Sequence, residues 1–93
     1  MRYTHDYGLE MENIVFKAAK NKALLHEFLY DLLSPAEYKD LAVRWQIVKM
    51  IYQNIPQREI AEKLHISIAT VTRGSREMIN KKGGFKQILE KYY

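Results

Sequence analysis

Residues 57–76, Gln-Arg-Glu-Ile-Ala-Glu-Lys-Leu-His-Ile-Ser-Ile-Ala-Thr-Val-Thr-Arg-Gly-Ser-Arg, read as two short amphipathic helices around a three-residue turn. Ile60 and Leu64 are four apart and share a face of the first helix, with the small Ala61 beside them where two helices can cross closely. His65-Ile66-Ser67 form the turn, and Ser67 is a good N-cap for a helix that opens at Ile68. Val71 then faces back toward Ile60 and Leu64. A turn of this kind usually opens with Gly, but His65 can adopt positive φ at modest cost. Two amphipathic helices joined so tightly are the unit with which many proteins set a helix into the DNA major groove. A plain helical hairpin has the same spacing, so charge has to discriminate.

The chain has 93 residues and a formal net charge of +4, and the charge is unevenly placed. Residues 1–55 carry seven Lys/Arg and seven Asp/Glu, whereas residues 56–93 carry eight against four. The whole excess lies beside the candidate reading helix, where phosphate attraction needs it. Such a length predicts one small domain over residues 1–93, and a chain this short buries only part of its surface alone, which favours oligomerisation. Cysteine is absent, which excludes disulfides and thiolate metal sites, and His5, His26 and His65 are too scattered for a metal site. Charged residues interrupt the N-terminus before any apolar run, and no apolar stretch has spanning length. A cytoplasmic protein without a membrane partner is the expectation.

Moving outward, apolar residues recur densely from Leu9 to Leu33, more than one narrow helix face would use. The surplus predicts helices packed on two sides, by a second subunit of the same chain, with a bend at Asn21-Lys22. Ser34-Pro35-Ala36-Glu37 is a capping box with proline at the first helical position. The helix it opens should run to about Asn54, with Tyr38, Leu41, Ala42, Trp45, Val48 and Tyr52 along one face. Residues 9–54 thus read as dimerisation core, 57–81 as a reading head and 85–92 as a last helix after the Lys82-Gly83-Gly84 stop. The fold class is all-α.

The second helix of the motif has two working faces. Thr70, Arg73, Gly74 and Glu77 fall on one stripe, and Ala69, Thr72 and Arg76 on another. Glycine inside a helix costs about 1 kcal/mol relative to alanine, so Gly74 marks a close approach to the backbone. Arg73 beside it offers a planar fork for a carboxylate or a ring. With Arg44 and Val48, four apart on the preceding helix, these residues could wall a pocket for a flat anionic molecule. Surface pairs of Arg44 and Arg73 with Asp40 or Glu77 are the plainer alternative.

The segments Leu33-Ser34-Pro35-Ala36-Glu37, Arg44-Trp45-Gln46-Ile47-Val48, Gln57-Arg58-Glu59-Ile60 and Ile68-Ala69-Thr70-Val71-Thr72-Arg73-Gly74-Ser75 closely resemble the tryptophan repressor family. The resemblance covers residues 33–78 and implies an intertwined homodimer of six-helix subunits that binds operator DNA, with L-tryptophan as regulatory ligand and no cofactor. By the same resemblance Arg44 and Arg73 sandwich the indole, Arg73 also holds the carboxylate, and Thr70, Gly74 and Val48 line the pocket. Backbone carbonyls of Asp31 and Leu33, with Ser34 nearby, come from the partner subunit and receive the ammonium. Glu77 departs from the family, which commonly has Ser there. A carboxylate at 77 can pair with an amino acid's ammonium, or instead with Arg73 so as to fill an empty site. The family's base-facing positions match Ile68, Ala69 and Thr72, where a methyl can meet thymine and a hydroxyl a base edge. Arg58 can reach a guanine or a phosphate, and Arg76, Lys81 and Lys82 are expected on phosphates.

Enzymatic chemistry is not expected. The carboxylates at Glu59, Glu62, Glu77 and Glu90 lack a partnered base, Ser75 follows Gly74 without a strand-turn-helix elbow, and Gly83-Gly84 is too short for a phosphate cradle.

Overall fold

A computed structural model describes residues 2–76 and 83–93, with side chains from residue 6 onward. The described residues form α1 (Arg2–Ala18), α2 (Lys22–Leu32), α3 (Pro35–Tyr52), α4 (Gln57–Leu64), α5 (Ile68–Ser75) and α6 (Gly84–Tyr92). None of the described residues is in a strand, as the all-α expectation requires. No described helix is long and apolar enough to cross a membrane. The first helix starts earlier than the apolar run from Leu9 indicated, because polar residues extend it back to Arg2. Of the expected reading helix, the part beyond Arg76 lies outside the described residues.

Helix starts follow local chemistry. The Asn21 side chain accepts the Leu24 N–H at 3.1 Å and begins α2 where the bend was expected. At α3 both halves of the capping box are made. Glu37 N–H donates to Ser34 Oγ at 3.2 Å, and Ser34 N–H donates to Glu37 Oε1 at 2.8 Å. Among the described residues, two non-glycine residues take positive φ, Asn54 (63°) and His65 (56°), and both sit where a helix ends.

The chain divides into two compact units, residues up to Tyr38 and residues from Lys39 onward. In the first, α1 packs on α2, and Ala18 is the buried hydrophobic residue among those described. Tyr30 stacks parallel on Tyr38 with centroids 5.0 Å apart, and His26 meets Tyr30 edge-on at 4.6 Å. In the second, Ile47, Ile60 and Val71 form a core flanked by Val43, Met50, Ile51, Ile55, Ala61, Leu64 and Ile66. Leu89 of α6 is fully buried, and Trp45 of α3 lies 6.3 Å from Phe85 and 6.0 Å from Tyr93.

On the face expected of α3, Val48 is fully buried and Trp45 packs near Phe85, but the core against the helix-turn-helix uses a second stripe. Leu41 is 47% exposed, whereas Val43, Ile47, Met50 and Ile51 (spaced i, i+4, i+7, i+8) turn toward α4 and α5. The helix carries apolar residues on several sides, and the stripe over the helix-turn-helix is the one that includes Ile47.

Candidate nucleic-acid interface

The geometry of α4 and α5 follows from residues in and around the turn. His65 takes φ 56°, ψ 47°, the left-handed conformation in which α4 stops, and its N–H reaches the Ala61 and Glu62 carbonyls. Ser67 then caps α5, its Oγ accepting the Thr70 N–H at 3.1 Å while lying 2.8 Å from the Thr70 hydroxyl. The cap sets the rotation of α5. Val71 consequently points inward and is fully buried against Ile60 and Ile47.

With Val71 inside, the outward face of α5 is determined. Ile68 is 49% exposed despite its apolar side chain, and Ala69, Thr72, Arg73 and Arg76 are exposed with it. Ile68 is therefore part of the surface of α5 and not of the core. Arg58 is exposed on the first turn of α4. Thr72 is not a free rotor: its Oγ1 donates to Gln57 Oε1 of α4 at 2.7 Å, and its carbonyl accepts the Ser75 hydroxyl at 2.7 Å. Lys63 and Glu59 form an exposed ion pair at 3.7 Å along α4, of the kind that adds little.

The second stripe of α5 lies against α3. A Cβ built on Gly74 would sit 2.7 Å from Ile47 Cγ2, closer than carbon atoms approach. The close approach expected at this glycine is therefore made by the Ile47 side chain. Arg44, three residues before Ile47, and Arg73, next to Gly74, emerge beside this crossing, and both are exposed. Neither forms an ion pair among the described residues, so the expected alternative pairing of Arg44 with Asp40 is not made. Thr70 is half-buried and Val48 is fully buried beneath the surface. Asp31 and Ser34 are exposed and Leu33 half-buried at the corner between α2 and α3. Glu77, Lys81 and Lys82 lie outside the described residues.

Two residues that shape this surface, Gln57 and Ile47, were not singled out from the sequence. Ile47 belongs to the stripe with Val43, Met50 and Ile51, a signal present in the spacing. Gln57 becomes visible only once α4 and α5 cross.

A helix whose start is capped and whose back is locked into a core, and whose front presents isoleucine, alanine, threonine and two arginines, defines a helix-turn-helix protein. The chain matches the family model described as "Trp repressor protein" over residues 10–93. It is 41% identical over 76 residues to the Trp operon repressor homolog of Chlamydia trachomatis serovar L2, covering 76% of this chain and 81% of that one. With the Trp operon repressor homolog of Haemophilus influenzae strain PittEE it shares 40% identity over 85 residues, covering 90% of this chain and 80% of the relative. The chain belongs to the tryptophan repressor family, and the similarity extends well beyond the segments that first carried it.

Proposed function

We propose that the protein is a homodimeric transcriptional repressor that binds operator DNA through α5 and responds to L-tryptophan. The observation that carries this reading is the exposed front of α5 in a chain of this family: Ile68, Ala69 and Thr72 at the helix start, flanked by Arg73 and Arg76. Ile68, Ala69 and Thr72 face base edges, and Arg58, Arg76, Lys81 and Lys82 serve base or phosphate contacts. The local charge excess of the second half supplies the salt-dependent attraction.

The tryptophan site of this proposal is built from Arg44 and Arg73 about the indole, with Thr70, Gly74 and underlying Val48. Asp31, Leu33 and Ser34 of a second copy take the ammonium, and Glu77 is assigned to the same site from the sequence. Support for the ammonium end comes from the α2–α3 corner. Pro35 has no N–H to offer the Asp31 carbonyl four residues earlier, and the Glu37 N–H goes to Ser34 Oγ instead of the Leu33 carbonyl. Both carbonyls are thus open to an outside donor. Support for the dimer comes from α2, which buries no residue within one chain although it carries Leu24, Leu25, Phe28, Leu29 and Leu32. Ligand and DNA share α5, so a ligand that biases its docking angle couples the two affinities reciprocally.

One observation favours a second reading, a DNA-binding repressor that needs no tryptophan: Ile47 already accounts for Gly74. Titration separates the two. Retention of a duplex pool that weakens steeply with salt, and tightens at least about tenfold with millimolar L-tryptophan, is the expected result. L-tryptophan, but not indole propionate, should raise the melting temperature. Salt-dependent binding indifferent to tryptophan selects the second reading, and absence of duplex binding removes both.

A further inference from the structure

We propose that Gln57 sets the base preference of α5 by holding the hydroxyl proton of Thr72. The proposal deepens the DNA-binding reading above and rests on it. The Thr72 hydroxyl donates to Gln57 Oε1 at 2.7 Å, a bond between side chains 15 residues apart that ties the start of α4 to the face of α5. A threonine hydroxyl has one proton and two lone pairs. With the proton engaged, Thr72 turns only lone pairs and a methyl group outward, and it is exposed to do so.

The consequence is a polarity of readout. In the major groove adenine N6 and cytosine N4 donate, whereas guanine and thymine display acceptors. An acceptor-only Thr72 therefore favours adenine or cytosine on the strand it meets, and a guanine or thymine there leaves lone pair against lone pair. A freely rotating hydroxyl would accept either class by turning its proton. Gln57 is thus a positioning residue: it acts on the base through Thr72, and its own amide N–H groups remain available to an oxygen of the DNA backbone.

The test is selection from a randomised duplex pool with the full chain and three variants. Wild type should enrich adenine or cytosine about tenfold at one position of each half-site, the size of a single base contact. Gln57→Leu should admit guanine and thymine at that position alone, and Thr72→Val should lose the preference at the same position. Gln57→Glu keeps the accepting oxygen and should keep the preference, with affinity lowered uniformly because a carboxylate faces phosphates. Without DNA, the melting loss of the Gln57→Leu/Thr72→Val double variant should fall short of the two single losses combined, since both remove one bond. A wild-type preference for guanine or thymine at the Thr72 position, an unchanged profile in Gln57→Leu, or fully additive melting losses each overturns the proposal alone. Wild-type protein that retains no duplex even at low salt overturns the DNA-binding reading and this one with it.

Discussion

The residues up to Tyr38 and those from Lys39 onward differ in how far they bury their large apolar side chains. In the second unit Ile47, Val48, Ile60, Val71 and Leu89 are each at most 3% exposed. In the first, Phe16 is 67% exposed, Leu24 55% and Leu32 46%, and no residue of α2 is fully buried, with Leu25, Phe28 and Leu29 half-buried. The second unit carries its own core, while the N-terminal helices leave Leu9, Met11, Ile14, Phe16, Leu24 and Leu32 exposed. The difference teaches that one part of the molecule is specified by a core within the chain, whereas the other leaves large apolar side chains available for a partner.

The largest effect is expected where that contrast is broken. If a second copy covers α1 and α2, the unfolding midpoint rises as protein concentration goes from micromolar to hundreds of micromolar, because mass action favours the dimer. The double substitution Leu25→Glu and Leu29→Glu should then yield monomers in sedimentation. DNA affinity should fall by about a hundredfold or more, since two heads no longer bind as one unit. A wild-type monomer with a concentration-independent midpoint would overturn the homodimer reading.

A smaller effect probes how tightly the second unit is packed. At an open helical position Gly→Ala gains about 1 kcal/mol, whereas overpacking a core costs about 1–3 kcal/mol. Ile47 is buried and β-branched, so its Cγ2 cannot swing away from an added Cβ at 74. Gly74→Ala should therefore lose about 1 kcal/mol, read as a lower urea midpoint. In an Ile47→Ala background the same change should gain about 1 kcal/mol, because the opposing methyl is gone. Equal effects in both backgrounds would mean that Ile47 does not determine the residue at 74.

The two regions also differ in how legible they were. The helix-turn-helix is set by short-range chemistry: a cap three residues from its donor, a residue that tolerates positive φ, and Val71 one turn on from Ile68. Each of these is visible in the spacing. Gly74 announced a close approach, but its neighbour lies 27 positions earlier, on a helix apolar on several sides, where spacing alone does not pick the buried stripe. The Gln57–Thr72 bond was hidden for the same reason, since it exists only after α4 and α5 cross. In the N-terminal helices the surplus of apolar residues was plain, while the identity of what buries them is not a property of one strand of residues. The proposed role of the Asp31 and Leu33 carbonyls rests on family resemblance, since spacing alone does not mark a backbone carbonyl, although Pro35 lacks the N–H that would close on Asp31.

The smallest effect sharpens the comparison by acting on one unit alone. His65 holds a left-handed backbone, which costs a non-glycine residue about 1–2 kcal/mol, and glycine would remove that cost while losing about 0.5–1 kcal/mol of unfolded-chain entropy. His65→Gly should therefore stabilise by about 0.5 kcal/mol, the difference between those two terms. The gain belongs to the second unit, so hydrogen exchange at the Ile60 and Val71 amides should slow by about twofold while amides of α1 and α2 keep their rates. His65→Ala, which keeps a Cβ but loses the imidazole, separates backbone from side chain. If it matches wild type while His65→Gly gains, relief of the turn is the cause. If both variants lose stability, the imidazole contributes more than its backbone costs, and the departure from glycine at this turn is favourable.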